Sequence, residues 1–161
     1  MSYTNSDGLF VLTDGAQGAV NGEGVTARAS RQTIVVDITA ANTGSSFGSS
    51  NIDPLAPTLP AGAIIVNADL VITTPFTSGG SATLTIGTYN AAGTAVDADG
   101  IDAAIALTAI DADGDVVQCD GAQVSGLVTV GGAAAYVGWN YGTAAYTAGA
   151  AKLIIEYIKV E

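Results

Sequence analysis

The densest groups of residues able to do chemistry are two acidic runs, Asp97-Ala98-Asp99-Gly100-Ile101-Asp102 and Asp111-Ala112-Asp113-Gly114-Asp115. Clustered carboxylates supply hard oxygen ligands, and Ca²⁺ takes roughly six to eight of them. An EF-hand loop, however, requires Gly at its sixth position and Glu at its twelfth. In the second run Gly114 stands fourth and the twelfth residue is Ala122, and the first run departs in the same way. Both therefore read as exposed turns built on Asp-Gly chemistry, with a non-EF cation site joining the two loops as the alternative.

Other constellations lack their parts. The chain has no His, so Ser-His-Asp and Cys-His arrangements and zinc sites of the usual Cys/His kind are excluded. Paired carboxylates can hydrolyse glycosides, but one Trp and three Phe leave few rings for a sugar platform. Asp37 and Asp69 fall inside strand patterns and read as outward-facing or turn-paired. Cys119 stands alone, without a nearby cation to activate it, and reads as a small buried apolar residue. Gly131-Gly132 lacks the Lys and Ser/Thr of a phosphate loop and reads as a tight turn. The expectation is a non-enzyme with no cofactor and no catalytic or metal-binding residue.

Lys and Arg number 4 against 15 Asp and Glu, a net charge of -11. Such a balance repels phosphate backbones and removes the term that dominates nucleic-acid affinity. Charged residues make up only 12% of the chain, about half the usual share. Its surface must then be built from Thr, Ser, Asn, Gly and Ala, which suits extensive protein contact and a homo-oligomer. Met1 to Asn5 carry no basic or apolar signal-like run, and no segment approaches the length of a membrane span. We therefore expect no membrane partner and synthesis in a cytoplasm.

The elements that must hold these residues are strands. Period-two alternation is clearest at 64–73, where Ile64, Val66, Leu70 and Ile72 are expected on one face and Asn67, Asp69 and Thr73 on the other. Further strands are expected at 9–12, 33–39, 81–89, 115–119, 124–130, 134–139 and 152–160, separated by Asp-Gly, Gly-Gly and Asn-containing turns. This pattern predicts an all-β fold, an antiparallel β-sandwich or barrel. Ile101, Ile105 and Ala109 recur at a helical interval and predict one short helix or single turn near 101–107. Residues 42–62, with Pro54, Pro57 and Pro60, read as a long surface loop. Residues 1–30, rich in Gly, read as an extended N-terminal arm preceding a sandwich domain at 31–161. Arg28 and Arg31 at the root of the arm could pair with the chain's own acidic excess or anchor onto an acidic patch of a partner. Tyr136, Trp139, Tyr141 and Tyr146 cluster near the C-terminus and read as strand packing, with an exposed contact stripe as the alternative.

Several stretches together resemble a family of tailed-bacteriophage proteins that decorate or cement the capsid. They are 3–9 (YTNSDGL), 60–68 (PAGAIIVNA), 97–104, 119–122 (CDGA) and 148–157 (AGAAKLIIEY), spread over nearly the whole chain. The resemblance implies a jelly-roll-like sandwich, usually trimeric, on the outer surface of the virion, bridging neighbouring major capsid protein subunits. It carries no catalytic residue. A head-fibre, tail or receptor-binding protein shares the Gly, Thr and Ala bias and is the competing expectation, followed by a carbohydrate-binding adhesin module.

Overall fold

Alternation at the C-terminal end builds the centre of the molecule. Ala151, Leu153, Ile155 and Tyr157 are buried while Lys152 faces solvent, the signature of a strand with one face on a core. The computed structural model describes residues 2–4, 10–12, 31–53 and 55–159. Its strands are β1 (Ser2–Thr4), β2 (Phe10–Leu12), β3 (Gln32–Thr39), β4 (Thr58–Leu59), β5 (Ala63–Ser78), β6 (Thr83–Tyr89), β7 (Ala95–Ala106), β8 (Val116–Gln118), β9 (Ala135–Gly142) and β10 (Tyr146–Lys159). One short helix, α1 (Ala122–Ser125), joins them. β1 and β2 form an antiparallel pair. The expected arm at 1–30, including Arg28, otherwise lies outside the described residues.

The eight strands from β3 onward make two antiparallel four-stranded sheets, ordered β3-β10-β5-β8 and β4-β9-β6-β7. The first of these strands pairs with the last, the second with the seventh, the third with the sixth and the fourth with the fifth. A long hairpin folded over on itself gives this order, and it is the double Greek key of a jelly roll. The expected all-β sandwich is what the chain forms. Its core lies between the sheets, where Ile38, Leu59, Ile65, Leu70, Ile72, Phe76, Leu84, Ile86, Ile101, Ile110, Leu153 and Ile155 are all but fully buried. Each such side chain contributes roughly 1.5–3 kcal/mol against exposure to water.

Three expectations fail, each for a local reason. Residues 101–107 are not helical: 101–106 belong to β7, and Leu107–Ala109 form a single 3-10 turn. A spacing of four is two strand periods as well as about one helical turn, so Ile101 and Ile105 point into the same core from a strand. Residues 124–130 are not a strand, because Gly121 and Gly126 bracket α1 and the chain after it makes only an isolated bridge, Thr129 to Ile64. In β5, Ile64 and Val66 do not share a face with Leu70 and Ile72. The register against β10 shifts between Ile65 and Asn67, and this bulge moves the buried set from Ala63 and Ile65 to Ala68, Leu70 and Ile72.

A candidate interaction cleft

At the β3/β4 side of the sandwich the long loop between β3 and β4 crosses from one sheet to the other. Asn42 Oδ1 accepts from the Thr39 amide at 2.8 Å and the Thr43 hydroxyl donates to the Thr39 carbonyl at 2.7 Å, so the chain turns sharply off the end of β3. The loop then bridges β9 at Asn140, where the Tyr141 amide donates to the Gly44 carbonyl at 2.9 Å. Phe47 anchors it, its ring 4.5 Å from Tyr89 and 6.1 Å from Trp139. Gly138 makes this anchoring possible, since a Cβ there would stand 2.5 Å from the Tyr89 ring and 2.7 Å from that of Phe47.

Beyond the anchor the loop leaves a cleft of about 610 Å³, within the range of ligand-sized pockets. One wall is Val35, Val36 and Asp37 of β3, the floor is Tyr136, Val137 and Trp139 of β9, and the roof is formed by residues 50–53 and 55–57. Leu55 stands at the rim, 91% exposed. The carboxylates of the lining are Asp37 and Asp53. Asp37 Oδ1 holds Lys152 Nζ at 2.6 Å on the outer sheet face, and Asp53 Oδ1 accepts from the Leu55 amide at 2.8 Å. The Trp139 indole N–H is buried without an acceptor among the described residues.

The residues singled out in the sequence are scattered rather than gathered here. Arg31 binds Glu156 at 3.0 Å on the outer face of the first sheet. Asp69 accepts from Asn67 at 2.6 Å. In the second acidic run Asp115 Oδ2 accepts from the Ala112 amide and Gly114 takes φ +84°, so the run closes as a turn. The first run is not the expected exposed turn: it lies within β7, where Asp102 is buried, and burial, followed by the charge of Asp120, raises its carboxyl above the ordinary range. Among the described residues, no group of three His, Cys, Asp or Glu is placed to hold a metal ion. Cys119 is buried, and loss of hydration, then the carboxylates of Asp102, Asp69 and Asp120, push its thiol up to about 12. At neutral pH it is a thiol, not a nucleophilic thiolate.

Of the aromatic group, Tyr146 is buried edge-on against Phe76 at 5.0 Å, Trp139 and Tyr141 pack on the core, and Tyr136 reaches the cleft. Strand packing thus accounts for most of that cluster. Sequence reading missed Phe47, Val35 and Leu55. A lone Phe inside the Gly/Ser stretch 44–50 was the available signal, because such a loop has no other reason to carry a large apolar ring.

Fold and cleft together define a jelly-roll sandwich with one covered and one open side. No family model and no curated protein matches the chain. Two solved structures share its fold. A chain in the capsid of Ralstonia phage GP4 is 22% identical, with a TM-score of 0.56 over 89% of this chain and 94% of that one. A chain in the capsid asymmetric unit of cyanophage Pam1 is 18% identical, with a TM-score of 0.56 over 92% and 98%.

Proposed function

We propose that this chain is a structural protein of a tailed-bacteriophage virion that decorates and cements the outer capsid by bridging neighbouring major capsid protein subunits. The observation that carries the reading is the eight-strand sandwich it has in common, nearly end to end, with chains from two phage capsids. The composition agrees, since charged residues make up only 12% of the chain and leave a weakly polar surface suited to protein contact. A cement protein acts by binding the mature lattice and not its precursor, and whatever binds only one state stabilises it. A trimer multiplies that effect through avidity. The role is non-enzymatic and needs no cofactor, nucleic acid or membrane.

Co-sedimentation of the purified chain with expanded and unexpanded shells tests this. Saturable binding to expanded shells only is expected, and equal or absent binding to both refutes the role. Deleting residues 2–29 should weaken the binding if the arm and Arg28 contribute to attachment. Sedimentation of the free protein at micromolar concentration should show a trimer.

A further inference from the structure

Sheet edges invite foreign strands, and folded proteins blunt them with short strands, bulges or charge. Three of the four edges in this sandwich are blunted. β4 has 2 residues and β8 has 3. β7 is long, but its pairing with β6 is broken by register shifts at three places, and it carries Asp97, Asp99 and Asp102. β3 is different: its 8 residues pair with β10 from Gln32 to Thr39 without a shift, and among the described residues nothing pairs with its other side.

That bare side forms the wall of the cleft. The Thr39 amide and carbonyl are both used by the turn leading away from β10, and backbone groups alternate in direction along an antiparallel strand. Val35 and Asp37 therefore present their N–H and C=O groups to the cleft. The floor is bare in the same sense. Gly44 bridges β9 at Asn140, engaging Tyr141 and Trp139, and Ala135 pairs with Leu59, so between them Val137 turns its backbone groups to the same side without a strand partner among the described residues. A segment laid along β3 would point alternate side chains inward over Val137, Trp139 and Phe47, filling the space between the sheets.

We propose that the cleft is a strand-addition site, in which an extended segment of a different protein becomes a fifth strand beside β3. Its chemistry follows from the walls: apolar residues at alternate positions for the aromatic floor, and Lys or Arg between them, because the charged groups of the lining are Asp37 and Asp53. Exposed Val35, at 45%, and Leu55 gain cover from such a strand. The chain's own glycine-rich residues 13–30 are a poor alternative, since Gly weakens strands. The inference stands on the cleft and not on the shell role.

The test is an array of peptides of about seven residues, an ordinary strand length, alternating Val, Ile, Leu or Phe with Lys, Thr or Glu. It is probed with the full chain, and hits are followed by the fluorescence of Trp139, the chain's one Trp. Val35→Pro removes an edge donor and spares the ladder to β10, so its thermal melt should match the parent. Lys-containing peptides should bind, about tenfold more weakly to Val35→Pro and about tenfold more tightly than their Glu counterparts. Asp53→Asn, which keeps the acceptor for Leu55, should narrow the Lys preference, and N-methylation of alternate peptide bonds should abolish binding. The proposal fails if no peptide distinguishes the parent from Val35→Pro, if N-methylated peptides bind equally, or if neutral monosaccharides quench Trp139 where peptides do not. It fails equally if peptides bind only after residues 2–29 are deleted, because the occupant would then be the chain's own arm.

Discussion

The two sides of the sandwich treat the same liability in opposite ways. At the β7/β8 side the chain is bulged and tightly filled: α1 lies over the sheet edge, the buried Gln123 accepts from the Thr88 hydroxyl at 3.0 Å, and Gly87 and Gly121 sit where a Cβ would strike backbone. Burial and the neighbouring Asp99 raise the Asp97 carboxyl there. At the β3/β4 side the strand pairs without a register shift, its edge is unpaired among the described residues and the loop above it encloses space. One side is closed by its own chain, and the other is left in a form that a second chain can complete. The difference teaches where to look for binding in a molecule without catalytic groups.

Substitutions at matched glycines break the comparison most sharply. Gly87→Ala presses a methyl into the backbone of Asp97 and Ala98, where nothing can rotate away. A loss of about 3 kcal/mol or more, read as a fall in Tm of about 6–12 °C, is expected. Gly138→Ala meets first the rings of Tyr89 and Phe47. It should cost about 1–2 kcal/mol and shift Trp139 emission, because the loop lifts with its anchor. Equal losses at the two sites would remove the distinction between a packed and an adaptable side.

A smaller effect is expected from pH at the closed side. Asp102 has a raised pKa in the fold, chiefly from burial, so the native state holds its proton more tightly than the unfolded chain. Its contribution is fully present below the unfolded value and is lost as pH rises through the folded one. Asp102→Asn should therefore raise Tm at pH 7 by about 2 °C, under 1 kcal/mol, and the gain should vanish near the ordinary carboxylate pKa of about 4. A gain that persisted unchanged at that pH would mean that charge is not its cause. The smallest effects belong to the exposed pairs: Lys152→Met and Arg31→Gln should each change stability by under about 0.5 kcal/mol. A larger loss in thermal melts would show that the ion pairs on β10 and β3 do more than decorate the outer face.

Much of the closed core was legible, because Leu153, Ile155 and Tyr157 alternate with polar or half-buried neighbours in plain sequence order. β7 was not, since its bulges destroy the period of two and leave Ile101 and Ile105 at a spacing shared with helices. β5 was legible as a strand but not in its facing, which one extra residue near Val66 reverses. The cleft was legible only in part. Tyr136 and Trp139 announced an aromatic group, but a free edge is a statement about partners. The partner of Thr33 is Glu156, far along the chain, so no local pattern says which side of β3 stays bare.

The claim that this sandwich reinforces a shell is tested most directly by heating expanded capsids that lack the protein, with and without it added back, and recording the temperature at which they open. Binding to the assembled state alone predicts a rise that saturates with added protein. An opening temperature that stays the same while the protein is shown to be bound would contradict cementing and leave only decoration.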